Sequence, residues 1–385
     1  MSEKSFLSFF LIPVILILMV TSCSAPREEE IGIELQEILM DHAKGFKIYQ
    51  GAGYQIIEVT QAFPGNHRPF RYLILNDIQA DLPEQMYDAT ILLPAETIIV
   101  TSTTHIPHLD LLHASDKLIG FPNLDLISSE QTRKLIQQHR IRDLGRGAQT
   151  NIELIIDLQP DWVMISTLGE DLKNLDLLQA AGISAVINGE YVEQNPLGRA
   201  EWIKFTGALM GKFEEANIIF KEIEKEYLAA ENLAKKIKQD ERPTVMAGVM
   251  YKDVWYVPGA DSWGARLLHA AGGNYIFDAQ KGTGSIQLNY EFVLDEAQDA
   301  DYWLGASDFQ SLSAMGTADR RYADFKAFQI GNVYSYTSKK GETGGIEYFE
   351  LGYMRPDWIL KDLIKILHPD LLPEYEPYFY SRLDD

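Results

Sequence analysis

The sequence predicts an α/β protein: two Rossmann-like lobes with parallel-sheet cores, joined by one long rigid α-helix and preceded by a small N-terminal β extension. Three observations lead there. Short apolar runs without alternation recur between helical patterns, as strands buried on both faces of a parallel sheet do. This pattern occurs twice, over residues 96–195 and 241–385. Between the two copies, residues 196–240 carry one amphipathic stripe, with no proline from Pro196 until Pro243. A chain of 385 residues has room for two domains of about 150 residues each.

The chain opens with an address. Phe6 to Val20 is a nearly unbroken apolar run, preceded by Lys4 and followed by Thr21-Ser22-Cys23. As a helix it spans roughly 22 Å, short of a bilayer core of about 30 Å, which is the layout of a signal peptide over residues 1–22. Val20-Thr21-Ser22-Cys23 resembles a bacterial lipobox, in which the cysteine thiol receives the lipid. Cys23 is the single cysteine, so an internal disulfide and a thiolate metal cluster are excluded. Residues 23–40 read as a lipid-anchored tether, and everything after it as an extracytoplasmic body in the periplasm or cell envelope.

Residues 41–95 are β-rich. Tyr54 to Val59 and Phe70 to Leu75 flank a Pro/Gly/Asn turn and read as a peripheral hairpin or small extension. In the first lobe, Thr97 to Thr101, Lys117 to Phe121, Trp162 to Ile165 and Ala185 to Ile187 are strand-like. Helices are predicted over Glu130 to His139, Ile152 to Leu158 and Asp171 to Ala181, the last closed by Gly182. In the linker, Phe205, Leu209, Phe213, Ala216, Phe220, Ile223 and Tyr227 form one helical face, predicting a rod of roughly 60 Å. The second lobe offers strands at Thr244 to Gly248, Val254 to Val257, Tyr302 to Leu304 and Val333 to Tyr336. Its helices are expected at Ser262 to Ala270, Glu291 to Ala297 and Phe349 to Leu367.

The formal charge of -22 argues against a nucleic-acid partner, which needs a positive footprint. Phosphate-loop, zinc-protease, serine-hydrolase and calcium-loop patterns do not occur. His105, His108 and His113 follow a strand, but the second lobe offers only His269 and His368 as partners, so no metal site is assigned. An enzyme or metal-ion-binding lipoprotein is the runner-up class.

Five local matches in one order carry a resemblance. Thr150-Asn151-Ile152-Glu153 with Leu158-Gln159-Pro160-Asp161-Trp162-Val163, then Ala181-Gly182-Ile183-Ser184-Ala185-Val186, fall in the first lobe. Ala271-Gly272-Gly273-Asn274-Tyr275-Ile276-Phe277, Gly331-Asn332-Val333-Tyr334 and Lys365-Ile366-Leu367-His368-Pro369 fall in the second. With the lipid anchor and linking helix, they resemble the class III periplasmic substrate-binding lipoproteins of ABC importers, over about residues 96 to 372. Ser184 and Gln298-Asp299-Ala300-Asp301 stand where the family has proline and Pro-Asp.

The resemblance implies transport without covalent chemistry or a resident cofactor, by a monomer that holds a small molecule between its lobes. A ferric siderophore is the expected ligand, with cobalamin or haem as alternatives. The expected contacts are Thr103, His105, Phe121 and Arg146 in the first lobe, and Tyr251, Trp255, Tyr256, Trp263, Arg266, Tyr336 and Tyr348 in the second. Aromatic faces would cover a planar or catecholate ligand, and Arg would bind its anionic oxygens. Trp255 and Tyr256 are strand neighbours, so one of them is expected to face the core. Glu153 and Glu291 occupy the positions at which the family docks onto its membrane permease. Each also suits a helix start, Glu153 through a capping box with Thr150.

Overall fold

The computed structural model describes residues 35–146, 151–169 and 172–384. The predicted signal peptide and Cys23 lie outside the described residues. Among those described, no helix is long and apolar enough to cross a membrane.

The N-terminal region forms a five-stranded sheet in the order β1-β2-β3-β4-β5. Its strands are β1 (Gln36–Ile38), β2 (Phe46–Gly51), β3 (Tyr54–Val59), β4 (Phe70–Leu75) and β5 (Ala89–Leu92). All pairings are antiparallel except β4 with β5. The sheet is not peripheral, as its sequence suggested. Phe46, Ile48, Ile57, Tyr72 and Ile74 join one continuous core with Ile98, Trp162, Val186 and Trp202 of the first lobe. The Tyr72 hydroxyl accepts the backbone N–H of Ile187 at 2.9 Å. A strand pattern alone does not say which neighbour its apolar face covers.

The first lobe contains β6 (Ile98–Val100), β7 (Leu118–Phe121), β8 (Arg142–Asp143), β9 (Trp162–Ile165) and β10 (Ala185–Ile187). They are parallel throughout, in the order β10-β9-β6-β7-β8. The order reverses between β6 and β9, the switch point at which open α/β sheets bind ligands. Helices Glu130–Gln137, Ile152–Leu158 and Leu172–Ala180 cross between these strands. Gly182 follows the last with φ +78°, the left-handed conformation that glycine adopts without a Cβ penalty.

The linker departs from expectation. It is three helices, Pro196–Glu201, Ile203–Leu209 and Phe213–Ala234, not one rod. Gly211 has φ +68°, and a Cβ on Gly207 would stand 2.5 Å from Ala216 Cβ. The chain therefore folds back closely enough for the second helix to pack on the third. A 3.6-residue stripe continues through such a break, because Ile203–Leu209 is buried on every side and Phe213–Ala234 is buried along one face. The remaining helix of 22 residues is about 33 Å long. Its first half buries Ala216, Phe220 and Ile223 in the first core, and its second half buries Tyr227, Ala230 and Ala234 in the other.

The second lobe adds β11 (Thr244–Ala247), β12 (Val249–Tyr251), β13 (Val254–Pro258), β14 (Asn274–Tyr275), β15 (Ser285–Asn289), β16 (Tyr302–Leu304), β17 (Val333–Ser335) and β18 (Ser381–Arg382). The main sheet runs β14-β11-β16-β17-β18, and β12-β13-β15 form an antiparallel sheet beside it. The main sheet is parallel apart from β18, and its switch point lies between β11 and β16. The expected final helix is two, Glu347–Glu350 and Pro356–Leu367. Pro356 lacks the N–H to continue a helix and starts the second piece instead.

Candidate ligand-binding cleft

An aromatic cavity of about 740 Å³ opens at the second lobe's switch point. Ala247 and Gly248 from the end of β11, and Leu304 and Gly305 from the end of β16, form its floor. Gly305 has φ +80°, and a Cβ there would lie 2.9 Å from the Tyr336 ring, so glycine lets that ring lie over the strand end. Tyr336 stacks on Tyr348 with centroids 4.1 Å apart and planes 15° apart. Trp263 meets Tyr348 and Tyr353 edge-on at 6.2 and 5.1 Å. Burial pushes the Tyr336 and Tyr348 hydroxyls up, so both stay protonated.

Arg199 closes the other side. Its guanidinium lies 4.5 Å from the Tyr353 ring centroid and 5.2 Å from that of Trp263, a cation–π arrangement. One guanidinium nitrogen donates to the carbonyls of Tyr191 and Glu193 at 3.0 and 2.8 Å. The Arg199 Nε and Trp263 Nε1 donors are buried with no acceptor in the protein. Such groups cost free energy until an acceptor reaches them. Gln194 Oε1, also unpartnered, adds one acceptor to the same lining.

Four of the expected contacts, Tyr256, Trp263, Tyr336 and Tyr348, line this cavity together. Thr103 and Phe121 line a smaller one, about 330 Å³, at the strand ends of the first lobe. The other five expected contacts lie elsewhere. Trp255 is fully buried, with its ring 5.2 Å from those of Trp303 and Phe325 and its Nε1 donating to Ala247 O at 3.2 Å. Strand alternation sends Trp255 to the core and Tyr256 to the cavity. Tyr251 is 61% exposed at the β12–β13 turn. Arg146 points to solvent and pairs with Asp125 at 3.3 Å. Arg266 lines a separate cavity against the linker helix, near Tyr227 and Glu231.

His105 is fully buried beneath the first lobe's strand ends. Its Nε2 is 3.8 Å from Glu190 Oε1, and that of His108 is 3.6 Å from Glu190 Oε2. His108 Nδ1 bonds Thr206 Oγ1 at 2.8 Å. Burial holds His105 well below the usual imidazole range and His108 at about 3, so both are neutral, and it pushes Glu190 up to about 7. His113 does not join them. Among the described residues, no three His, Cys, Asp or Glu side chains are disposed as a metal site.

Sequence reasoning missed Arg199, Gln194, Tyr353 and Tyr380. Arg199 sits in Asn195-Pro196-Leu197-Gly198-Arg199, which read only as a helix start. Asn195 does cap that helix, accepting from Leu197 N and Gly198 N at 2.9 and 3.3 Å. Tyr380 arrives on a tail that carries no periodic signal.

The cleft architecture can now be set beside known proteins. A family model described as periplasmic binding protein matches residues 98–340, more than half of the chain. The chain belongs to the periplasmic binding protein family. An uncharacterised lipoprotein of Methanocaldococcus jannaschii is 29% identical over 298 residues, covering 75% of this chain and 69% of its own. Among solved structures, a possible iron-binding periplasmic solute-binding protein of Staphylococcus epidermidis aligns with TM-score 0.55 and 18% identity, covering 71% of this chain and 99% of its own. The periplasmic haem-binding protein HutB of Vibrio cholerae aligns with TM-score 0.56 and 15% identity, covering 71% and 100%. At such identities the likeness establishes the fold that this periplasmic binding protein shares with them.

Proposed function

We propose that this chain is the solute-binding lipoprotein of an ABC importer and that it carries a ferric siderophore in the interlobe cleft. The observation that carries the reading is the aromatic cavity with two acceptor-free buried donors, Arg199 Nε and Trp263 Nε1. Those groups suit a ligand with flat faces and several exposed oxygens. Haem iron takes a protein side chain, His, Met, Cys or Tyr, as axial ligand. Among its described residues the lining has no His, Cys or Met, but its tyrosines keep haem as the second reading. A siderophore supplies all of the metal's ligands itself, so stacking faces and donors suffice. Tyr256, Trp263, Tyr336 and Tyr348 would form the aromatic clasp, and Thr103 and Phe121 would belong to the opposite lobe's share of the cleft.

Glu153 and Glu291 would face the permease. Both are exposed and occupy the first turn of their helices. Cys23, acylated, would hold the body at the membrane.

Native mass spectrometry of the full-length chain in detergent, offered ferric siderophores, cyanocobalamin and haem together, tests this reading. A single 1:1 adduct with a ferric siderophore is expected. A haem or cobalamin adduct would replace the ligand and keep the class. A folded protein that binds none of them and converts a substrate would overturn the reading.

A further inference from the structure

We infer that the N-terminal sheet, which precedes the matched family segment, is a third wall of the ligand cleft and helps to select which ligands fit. This rests on the transport reading above. Two independent sets of contacts carry it.

The first is backbone approach at two glycines. Gly189 follows β10, and a Cβ there would stand 2.1 Å from the carbonyl oxygen of Gln61. Gly169 follows β9 with φ +97°, and a Cβ there would stand 2.9 Å from the Phe63 ring. Both glycines lie on loops leaving the carboxyl ends of first-lobe strands, the cleft side of the sheet. Residues 61–63 of the β3–β4 loop are thus seated against the cleft loops. The next residue, Pro64, lines the aromatic cavity. The Asn66 side-chain amide donates to the carbonyls of Thr60 and Arg68 at 3.2 and 3.1 Å, which draws the base of the loop together.

The second is a clamp on the interlobe segment. Glu193 accepts the backbone N–H groups of Lys44 and Gly45 at 2.6 and 2.7 Å. Glu201 accepts those of Asp41, His42 and Ala43 at 2.9, 2.8 and 2.8 Å. Five successive N–H groups from the extension therefore end on two buried carboxylates. Gln194 and Arg199, which line the cavity, lie between those carboxylates in sequence. Charge-assisted bonds of this kind are short and directional, so the extension fixes the segment that presents the cavity's arginine.

The same lining includes Thr283, Gly284 and Ser285 of the second lobe. A Cβ built on Gly65 or on Gly284 meets nothing within 4 Å, so both tips border open space. The aromatic side chains would hold the metal-binding part of the ligand, and the Pro64 rim would meet whatever overhangs it. The ligand class implied is a metal complex with a bulky scaffold, recognised by shape at its edge.

The test uses full-length protein in detergent, with two probes: iron(III) bound by three unlinked catechols, and iron(III) bound by a trilactone-linked tris-catecholate. Pro64 is exposed, so Pro64→Trp adds bulk at the rim without touching the core. The expected result is a loss of about tenfold or more in affinity for the linked complex, about 1.4 kcal/mol. The unlinked complex should lose several-fold less than the linked one, with an unchanged melting temperature. Unaltered affinity for both complexes, or the same loss for both, overturns the rim assignment. A wild-type protein that binds neither complex overturns instead the ferric-siderophore reading beneath it.

Discussion

Glu350, in the second lobe, accepts the backbone N–H of Ser128, in the first, at 2.7 Å, and that of Ser129 at 2.8 Å. Ser129 caps helix Glu130–Gln137, taking Thr132 N at 3.1 Å while its hydroxyl donates to Asp110 at 2.6 Å. The two lobes are thus pinned at a helix N-terminus, where orphan N–H groups favour a carboxylate. Burial nevertheless dominates and pushes Glu350 up to about 7, with the Asp110 carboxylate adding to the rise. The sign follows from proton linkage. Between the ordinary value of 4.5 and about 7, the folded state binds a proton that the unfolded state has lost, so stability falls as pH rises. Glu190 behaves alike. His105 and His108, held low, act oppositely: stability is lost as pH falls below their ordinary 6.5. Thermal melts should therefore show a plateau between about pH 4.5 and 6.5, with a decline on either side. Glu350→Gln should be less stable than wild type at pH 5 and close most of that gap by pH 8, a change on the order of 1–2 kcal/mol. A gap that stays constant across this range would refute the assignment.

Asp362 gathers the C-terminal tail. Fully buried, it accepts Tyr375 Oη and Tyr378 N on one oxygen at 2.7 and 2.8 Å, and Phe379 N and Tyr380 N on the other at 2.6 and 3.0 Å. Tyr380 then reaches the cavity and meets Tyr336 edge-on at 5.6 Å. In Asp362→Asn the amide NH₂ would oppose at least one backbone N–H donor whichever way it turns, since each oxygen accepts at least one. Urea unfolding should show a loss of roughly 2–4 kcal/mol, and ligand affinity should fall with it. A loss below about 1 kcal/mol would mean that packing, not this carboxylate, holds the tail.

Much of this fold is legible in the sequence because its signals are local. Trp162 to Ile165 and Ala185 to Ile187 are short apolar runs between capped helices, and the structure has strands over those very residues. What escaped depends on contacts distant in sequence. The helical stripe from Phe205 to Tyr227 ignores the turn at Gly211, since periodicity reports a buried face and not chain continuity. Pro356 marked a helix start that the apolar pattern from Phe349 concealed. Thr150, from which a capping box is expected, lies outside the described residues. Asn151 caps the helix, accepting Leu154 N at 2.9 Å. In the cleft, the aromatics after strands could be named, but Arg199 could not. Its role depends on Tyr353 and Trp263, which are more than sixty residues away along the chain.

Two tryptophans should separate stability from binding. Trp255 fills the second core, so Trp255→Ala is expected to cost about 3–5 kcal/mol, while Trp255→Phe should leave ligand affinity unchanged. Trp263 lies at the cavity wall with an unpartnered Nε1 donor. Trp263→Phe removes a donor that has no acceptor, so stability should hold while affinity for an oxygen-rich ligand drops about tenfold. Calorimetric melts paired with ligand titrations read both effects. Equal affinity loss in Trp255→Phe would put that residue back among the contacts.

Glu153 and Glu291 share one local design. Asn151 caps Ile152–Leu158, and Asn289 caps Tyr290–Ala297 by accepting Phe292 N at 2.8 Å. Each glutamate is the second residue of its helix, exposed and within the first turn. A carboxylate so placed is held in orientation by the helix start and stands exposed, where a basic partner surface could reach it. Glu153→Lys or Glu291→Lys should therefore leave ligand affinity within about twofold of wild type, yet cut transport in vesicles carrying the cognate permease by tenfold or more. The double variant should fall to background. Raising ionic strength should weaken wild-type transport in the same direction, because exposed charges are screened over about 8 Å at physiological salt. If either single variant lost ligand affinity in proportion to its transport, the glutamate would belong to the cleft's integrity and not to docking.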